Sequence, residues 1–195
     1  EPRSNPSFSK ASRGRSRRLL PAAAACRIRR QRPGVYTVRV IGGTLGSRRL
    51  VTPVGSLTRP TSDRVREALF SRLESRYGLV DRHVLDLYAG SGALGIEAMS
   101  RGAASLISVE ASGTAAAVIE RNIRSCGLDG SAEVIVLNVA EALERFEAES
   151  RRFDAVFMDP PYGDVAVLAV LETAGRSMLM NEEAFLVLES SARQA

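Results

Sequence analysis

Between residues 83 and 188, short apolar runs alternate with helix-length segments, and no other pattern in the chain restricts its fold more. Strands are expected at His83–Tyr88, Ser105–Glu110, Glu133–Leu137, Asp154–Met158 and Ala184–Leu188. Helices are expected over about Ala93–Arg101, Gly113–Cys126, Ala140–Ala148 and Val165–Met178. Strands this apolar have no solvent-facing side, so they require a mainly parallel sheet with helices on both faces. Gly102 and Gly127 stand just past two of the helices, where a left-handed residue ends a helix. The expected fold class is therefore α/β.

The 195 residues, 45% of them apolar, suffice for one core and fall short of two full domains. Two cysteines, Cys26 and Cys126, exclude a disulfide scaffold; with the single histidine, His83, they also exclude a structural zinc centre, so no metal site is expected. No apolar run approaches the length of a membrane-crossing helix, and no membrane partner is expected. The net charge of +5 conceals a split: residues 1–82 carry 19 Lys and Arg against 5 Asp and Glu, +14, while residues 83–195 carry 8 against 17, −9. Lys10 is the single lysine. Arginine forks phosphate and stacks on bases, so an arginine-rich first half points to nucleic acid. A G- and C-rich genome accounts for arginine over lysine but not for the near-absence of acids before Asp63.

Three segments follow. Residues 1–34, rich in Ser, Arg, Pro and Ala, sustain no apolar period and are expected to be a disordered basic extension. An organellar transit peptide, an arm that docks on RNA, and a tail from an over-extended reading frame all fit that composition, the last best. The protein is expected to be cytoplasmic, or organellar if the extension is a transit peptide. Residues 35–57 contain a β-hairpin over Val35–Pro53 that turns at Gly42 to Gly46 and carries Arg39, Arg48 and Arg49. A solvated face and an RNA contact explain these arginines equally well. Residues 58–195 form the third segment, opening on a helix capped by Thr61 or Ser62. Val65, Leu69, Phe70 and Leu73 make its apolar face, with Arg64, Arg66, Arg72 and Arg76 on the surface. Salt bridging to Asp63 and Glu67 is the plain reading of Arg59, Arg64 and Arg66; contact with RNA, or ordering of a site, is the functional one.

The segment Val84-Leu-Asp-Leu-Tyr-Ala-Gly-Ser-Gly-Ala-Leu-Gly95 runs a strand through a glycine turn into a helix, and Gly90, Gly92 and Gly95 fit G-x-G-x-x-G. Glu110, 20 residues after Gly90, stands where a carboxylate holds ribose hydroxyls. A nicotinamide dinucleotide domain satisfies both features. Asp86, inside the strand, separates the readings: a dinucleotide site prefers an apolar residue there, whereas a nucleoside with a cationic amino-acid tail, S-adenosylmethionine, welcomes a carboxylate. An acid buried there without a partner is costly. Asn138 ends the third strand, placed either to bond an adenine edge or simply to turn the chain. Asp86, Tyr88, Gly90, Gly92, Gly95, Glu110 and Asn138 are the cofactor candidates.

A second segment, Phe153-Asp-Ala-Val-Phe-Met-Asp-Pro-Pro-Tyr162, leaves the fourth strand at the same sheet edge. An exocyclic base amine is a poor nucleophile because its lone pair is delocalised into the ring. The Asp159 carboxylate and the Pro160 carbonyl can accept its two N–H bonds, turning the nitrogen towards tetrahedral and its lone pair towards a methyl group. Two prolines stiffen the loop, and Tyr162 offers a face for a base. Asp159, Pro160 and Tyr162 are the catalytic candidates; Arg39, Arg48, Arg49, Arg59, Arg64 and Arg66 are the RNA-binding ones.

Over roughly Val38 to Glu189 the chain resembles the RsmD-type methyltransferases, which modify guanine N2 in bacterial 16S ribosomal RNA. The resemblance rests on Arg39-Val-Ile-Gly-Gly43, the run Arg59-Pro-Thr-Ser-Asp-Arg-Val-Arg-Glu-Ala-Leu-Phe70, Leu85 to Ala98, and Asp159-Pro-Pro-Tyr162. The run from Arg59 is the most specific of these. The resemblance implies a class I, Rossmann-like fold, S-adenosylmethionine as methyl donor, and an N-terminal hairpin that helps engage the RNA. It also implies 16S ribosomal RNA as partner, in an assembling small subunit, and a monomer is expected. By position, Asp86, Gly90, Gly92 and Glu110 look like cofactor residues, and Asp159, Pro160 and Tyr162 like the amine-handling site. Residues before 35 are extra to the family pattern, and the strand pair that ends the family's sheet has no counterpart before Ala195, so the last strand is expected to be an apolar edge. Competing readings are an amino-methyltransferase for another base in RNA or DNA, a non-catalytic ribosome-assembly factor, and a dinucleotide-dependent oxidoreductase.

Overall fold

A computed structural model describes residues 37–53, 62–161, 170–173 and 179–189. The basic extension, Arg59, Thr61, Tyr162 and most of the helix expected over Val165–Met178 lie outside these residues. The elements described are, in order, β1 (Thr37–Arg39), β2 (Arg49–Val51), α1 (Asp63–Arg76), β3 (His83–Leu87), α2 (Ala93–Ser100), β4 (Ser105–Val109), α3 (Gly113–Cys126), β5 (Ala132–Ile135), α4 (Val139–Ala148), β6 (Phe153–Met158) and β7 (Met180–Leu188).

Strands β3 to β7 form one parallel sheet in the order β5-β4-β3-β6-β7. Chain direction across the sheet reverses between β4 and β6, on either side of β3, and a crevice opens at such a switch point. Side chains alternate along β3. Val84 faces a core with Phe70 and Leu73 of α1, Ile96 of α2, Ile119 of α3 and Phe157 of β6. Leu85 and Leu87 face a second core with Leu143 and Phe146 of α4. This double coverage is why the strands read as apolar throughout. Among the described residues, β7 is the last strand on its side.

The helix ends follow local chemistry. Ser112 caps α3 by accepting from Ala115 N, and Gly127 closes it at φ 72° with Leu128 N bonded to Ile123 O. Gly102 is left-handed as well, at φ 101°. Helix α1 corrects its expected phase. Ser62 is its cap, but its inward stripe is Arg66, Phe70 and Leu73, while Val65 points outward, 55% exposed. Arg66, expected on the surface, is 2% exposed, because it lies one and two turns before Phe70 and Leu73 on the same face.

Strands β1 and β2 form the expected hairpin, pairing Val38 with Leu50. Three-residue strands do not hold alone; the hairpin is fastened to α2 and α3. The buried Glu97 accepts Ile41 N at 2.6 Å and Gly42 N at 2.9 Å, and Ser100 Oγ donates to Gly42 O at 2.5 Å. Gly43 sits so close to α2 that a Cβ there would lie 1.9 Å from Ser100 O. On the other strand, Asn122 of α3 accepts Val51 N and donates to Val51 O and to Ser91 O. No helix among the described residues is long and apolar enough to cross a membrane.

Candidate active site

The five strands of the sheet end abreast. Leu87 pairs with Val109 on one side and Met158 on the other, Val109 with Ile135, and Met158 with Leu188. One step further along the chain, Tyr88, Glu110, Asp159 and Glu189 all leave the sheet at a single edge. A cavity of about 430 Å³ opens there, lined by Asp86, Tyr88, Gly90, Glu110, Asn138 and Asp159, and also by Arg66.

Tyr88 turns the chain out of β3 at φ 59°, a left-handed conformation that non-glycine residues adopt only where the surroundings enforce it. Gly90 and Gly92 are left-handed too. Gly95 is required for a different reason: a Cβ there would lie 2.5 Å from Leu106 Cδ1, so helix and strand can pack only without one. The expected roles of the three glycines thus divide between backbone turn and close packing.

Asp86, 1% exposed, accepts Gly95 N on Oδ2 at 3.0 Å, and its Oδ1 is buried without a partner. Burial pushes its carboxyl up to about 8; the Gly95 amide works against this, and the neighbouring Asp159 and Glu110 charges add to it. Glu110 accepts Gly90 N on Oε2 at 3.0 Å and Ser112 N on Oε1 at 2.9 Å, which holds it beside the glycine turn with one lone pair left on each oxygen. Asp159 touches solvent at the cavity mouth, yet the walls around it desolvate its carboxyl and, with the Glu189 charge, push it up to about 6. Pro161 lines the cavity beside it. Asn138 uses its Oδ1 to cap α4, accepting Glu141 N at 2.9 Å, and borders the cavity from there.

The arginines separate into three groups. Arg49 and Arg64 are exposed and make no hydrogen bond or ion pair among the described residues. Arg39 and Arg48 are exposed but engaged, Arg39 with Asp63 at 2.7 Å and Arg48 with Ser125 O. Arg66 is buried, and its Nη2 donates to Arg39 O at 2.7 Å and Asp63 Oδ1 at 2.9 Å. Burial works against ionisation of Asp63, but the hydrogen bonds and charges of Arg39 and Arg66 outweigh it and hold its carboxyl below the ordinary value. Arg66, expected on the surface, instead has its side chain at the cavity and the core. Glu97 and Asn122 escaped sequence reasoning. A lone acid in the apolar stretch of α2 was the one available signal for Glu97, and nothing local marked Asn122.

Comparison with known proteins agrees with this geometry. A family profile described as "Conserved hypothetical protein 95" matches residues 38–195. The chain is 34% identical over 152 residues to YlbH of Bacillus subtilis (strain 168), covering 78% of this chain and 82% of that protein. It is 33% identical over 157 residues to the Escherichia coli (strain K12) ribosomal RNA small subunit methyltransferase D, covering 80% of this chain and 76% of that one. Among solved structures, Escherichia coli yhhF superposes with a TM-score of 0.68 at 33% identity, over 80% of this chain and 84% of that one. With a family profile matching residues 38–195, and relatives above 30% identity matched over about three quarters or more of their length, the chain belongs to the Conserved hypothetical protein 95 family, that of ribosomal RNA small subunit methyltransferase D.

Proposed function

We propose that this chain transfers a methyl group from S-adenosylmethionine to the exocyclic N2 of a guanine in 16S ribosomal RNA. The observation that carries this reading is the meeting of Asp86, buried with one oxygen unpartnered, and Asp159 of the Asp-Pro-Pro segment in one cavity at the switch point of the sheet. The residues fit the cofactor on that same observation, since an ammonium group is what the orphaned Asp86 oxygen lacks. When bound, S-adenosylmethionine supplies a methyl group on a sulfonium, an electrophile that needs no further activation.

The chain's own residues do the rest. Asp86 pairs with the ammonium, Glu110 accepts ribose hydroxyls on its remaining lone pairs, and Asn138 borders the adenine. Tyr88, Gly90, Gly92 and Gly95 shape the turn that admits the nucleoside. Asp159 and the Pro160 carbonyl accept the two N–H bonds of the target amine, and Tyr162 stacks on its base. Asp159 then takes the proton that the amine loses. Holding nitrogen and methyl in line supplies much of the rate, so Asp159 need not be a strong base.

Arg49 and Arg64 are the first contacts for phosphate, with Arg39, Arg48 and Arg59 supporting them. The partner is the RNA of an assembling small subunit, met in the cytoplasm, and the chain acts as a monomer. The hairpin within 35–57 engages RNA and residues 58–195 carry the catalytic body, with residues 1–34 a basic extension. The test is mass analysis of nucleosides in 16S RNA from a strain lacking its own enzyme and supplied with this chain. N2-methylguanine appears with the parent and falls by about 10²- to 10³-fold in rate with Asp159→Ala. Methylation of adenine or cytosine instead, or an unchanged rate in the variant, overturns the reading.

A further inference from the structure

Among the described residues, the walls of the cavity hold three acids, Asp86, Glu110 and Asp159, and one basic residue, Arg66. Arg66 is an unusual presence there. It is almost wholly buried, yet only Nη2 is used, both its hydrogens going to Arg39 O and Asp63 Oδ1. Nε and Nη1 are buried with no partner among the described residues. Leaving guanidinium donors unmet in the interior is costly, and native folds do so where a ligand completes the bonding. Asp63 does not balance the charge either, because it serves Arg39 as well, so two cations share one carboxylate.

Among the described residues lining the cavity, the other ionisable side chain with an unmet buried atom is Asp86, through Oδ1. One orphaned carboxylate and one orphaned guanidinium are the charge complement of an α-amino-acid zwitterion. The geometry points to Arg66 as the residue that receives the carboxylate of the donor's amino-acid tail, with Asp86 receiving its ammonium. This rests on reading the cavity as the S-adenosylmethionine site. It gives Arg66, carried by the helix that follows the hairpin, a binding role towards the cofactor in place of the RNA contact its sequence position implies. Nη2, held by Arg39 O and Asp63, fixes the guanidinium so that little side-chain freedom is lost on binding.

The experiment is calorimetric binding to the full chain, without RNA, of three neutral-sulfur ligands: S-adenosylhomocysteine, its analogue lacking the carboxylate, and methylthioadenosine, which lacks the whole tail. The parent prefers S-adenosylhomocysteine over the decarboxylated analogue by about tenfold or more, the size expected of a hydrogen bond to a charged group. In Arg66→Gln that preference collapses towards one while methylthioadenosine binds as before, and Arg66→Lys keeps part of it. Three results overturn the proposal: an undiminished preference in Arg66→Gln, equal losses for all three ligands in both variants, or weaker RNA binding with ligand preference intact. A parent that binds none of the three refutes the cofactor reading of the cavity itself.

Discussion

Asp86 and Gly95 are joined by a 3.0 Å hydrogen bond from the Gly95 amide to Oδ2, and the same glycine has no room for a Cβ, which would lie 3.1 Å from that oxygen. The bond ties the first turn of α2 to the middle of the central strand. It satisfies one carboxylate oxygen and leaves the other buried with no partner among the described residues.

The pH dependence of stability follows from that half-satisfied acid. Its folded value of about 8 lies above the ordinary 3.8 because of burial. Between those values the folded chain retains a proton that the unfolded chain has lost, so Asp86 makes stability fall as pH rises through this window and level off above it. Asp159, at about 6, acts in the same direction over the lower part. Thermal melts of the ligand-free protein from pH 6 to 8.5 should therefore decline more steeply for the parent than for Asp86→Asn. Parallel curves would contradict an unpaired buried acid. Cofactor binding near neutral pH should release protons, seen as a buffer-dependent heat.

Catalysis should depend on pH through Asp159. Burial, with the Glu189 charge added, raises its carboxyl to about 6, and only the ionised form accepts both an N–H and the departing proton. At saturating cofactor the rate should rise through about that pH and then level. Glu189→Gln removes the repelling charge, so the rising limb should move towards acid. A limb that stays in place assigns the titration to another group.

RNA binding should distinguish the arginines that look alike in the sequence. Arg49 and Arg64 are exposed and have no partner among the described residues, and replacing both with Ser should lower the slope of log affinity against log salt by about two. Arg66→Gln should leave that slope unchanged. Filter binding across a salt series measures both.

Removing the clamp on the hairpin should loosen it without unfolding the sheet. Glu97→Ala strips two backbone amides and the Arg101 guanidinium of a buried partner, at a cost of about 3–5 kcal/mol. Hydrogen exchange at Ile41 and Gly42 should accelerate far more than at Leu85 or Val156. Uniform acceleration would mean that the hairpin and sheet unfold together.

Much of this molecule was legible in its sequence. Strand and helix order, the bounds of α3, the glycine turn and the common edge of Asp86, Glu110 and Asp159 follow from period, turn chemistry and the parallel-sheet rule. The phase of α1 did not, because a charged Arg66 was assigned outward and an apolar Val65 inward; packing against β6 through Phe70 and Phe157, 5.5 Å apart, decided otherwise. The roles of Glu97 and Asn122 in holding the hairpin were invisible because their partners there lie 55 to 71 residues away. Asn138 shows a milder limit: its cap on α4 and its place at the cavity are compatible, and the sequence had set them against each other.

Helix α2 runs only eight residues, about 12 Å. Its first turn touches the Asp86 carboxylate, and its last turns grip the hairpin through Glu97 and Ser100. On the proposed function, the surfaces that meet a large RNA and a small nucleoside are thus gauged from one short rod. Positional error between them does not accumulate through a series of loops but is limited by the stiffness of two helical turns. A target amine can then be brought to a methyl group with the tolerance of a single part, although the object being aligned is far larger than the enzyme.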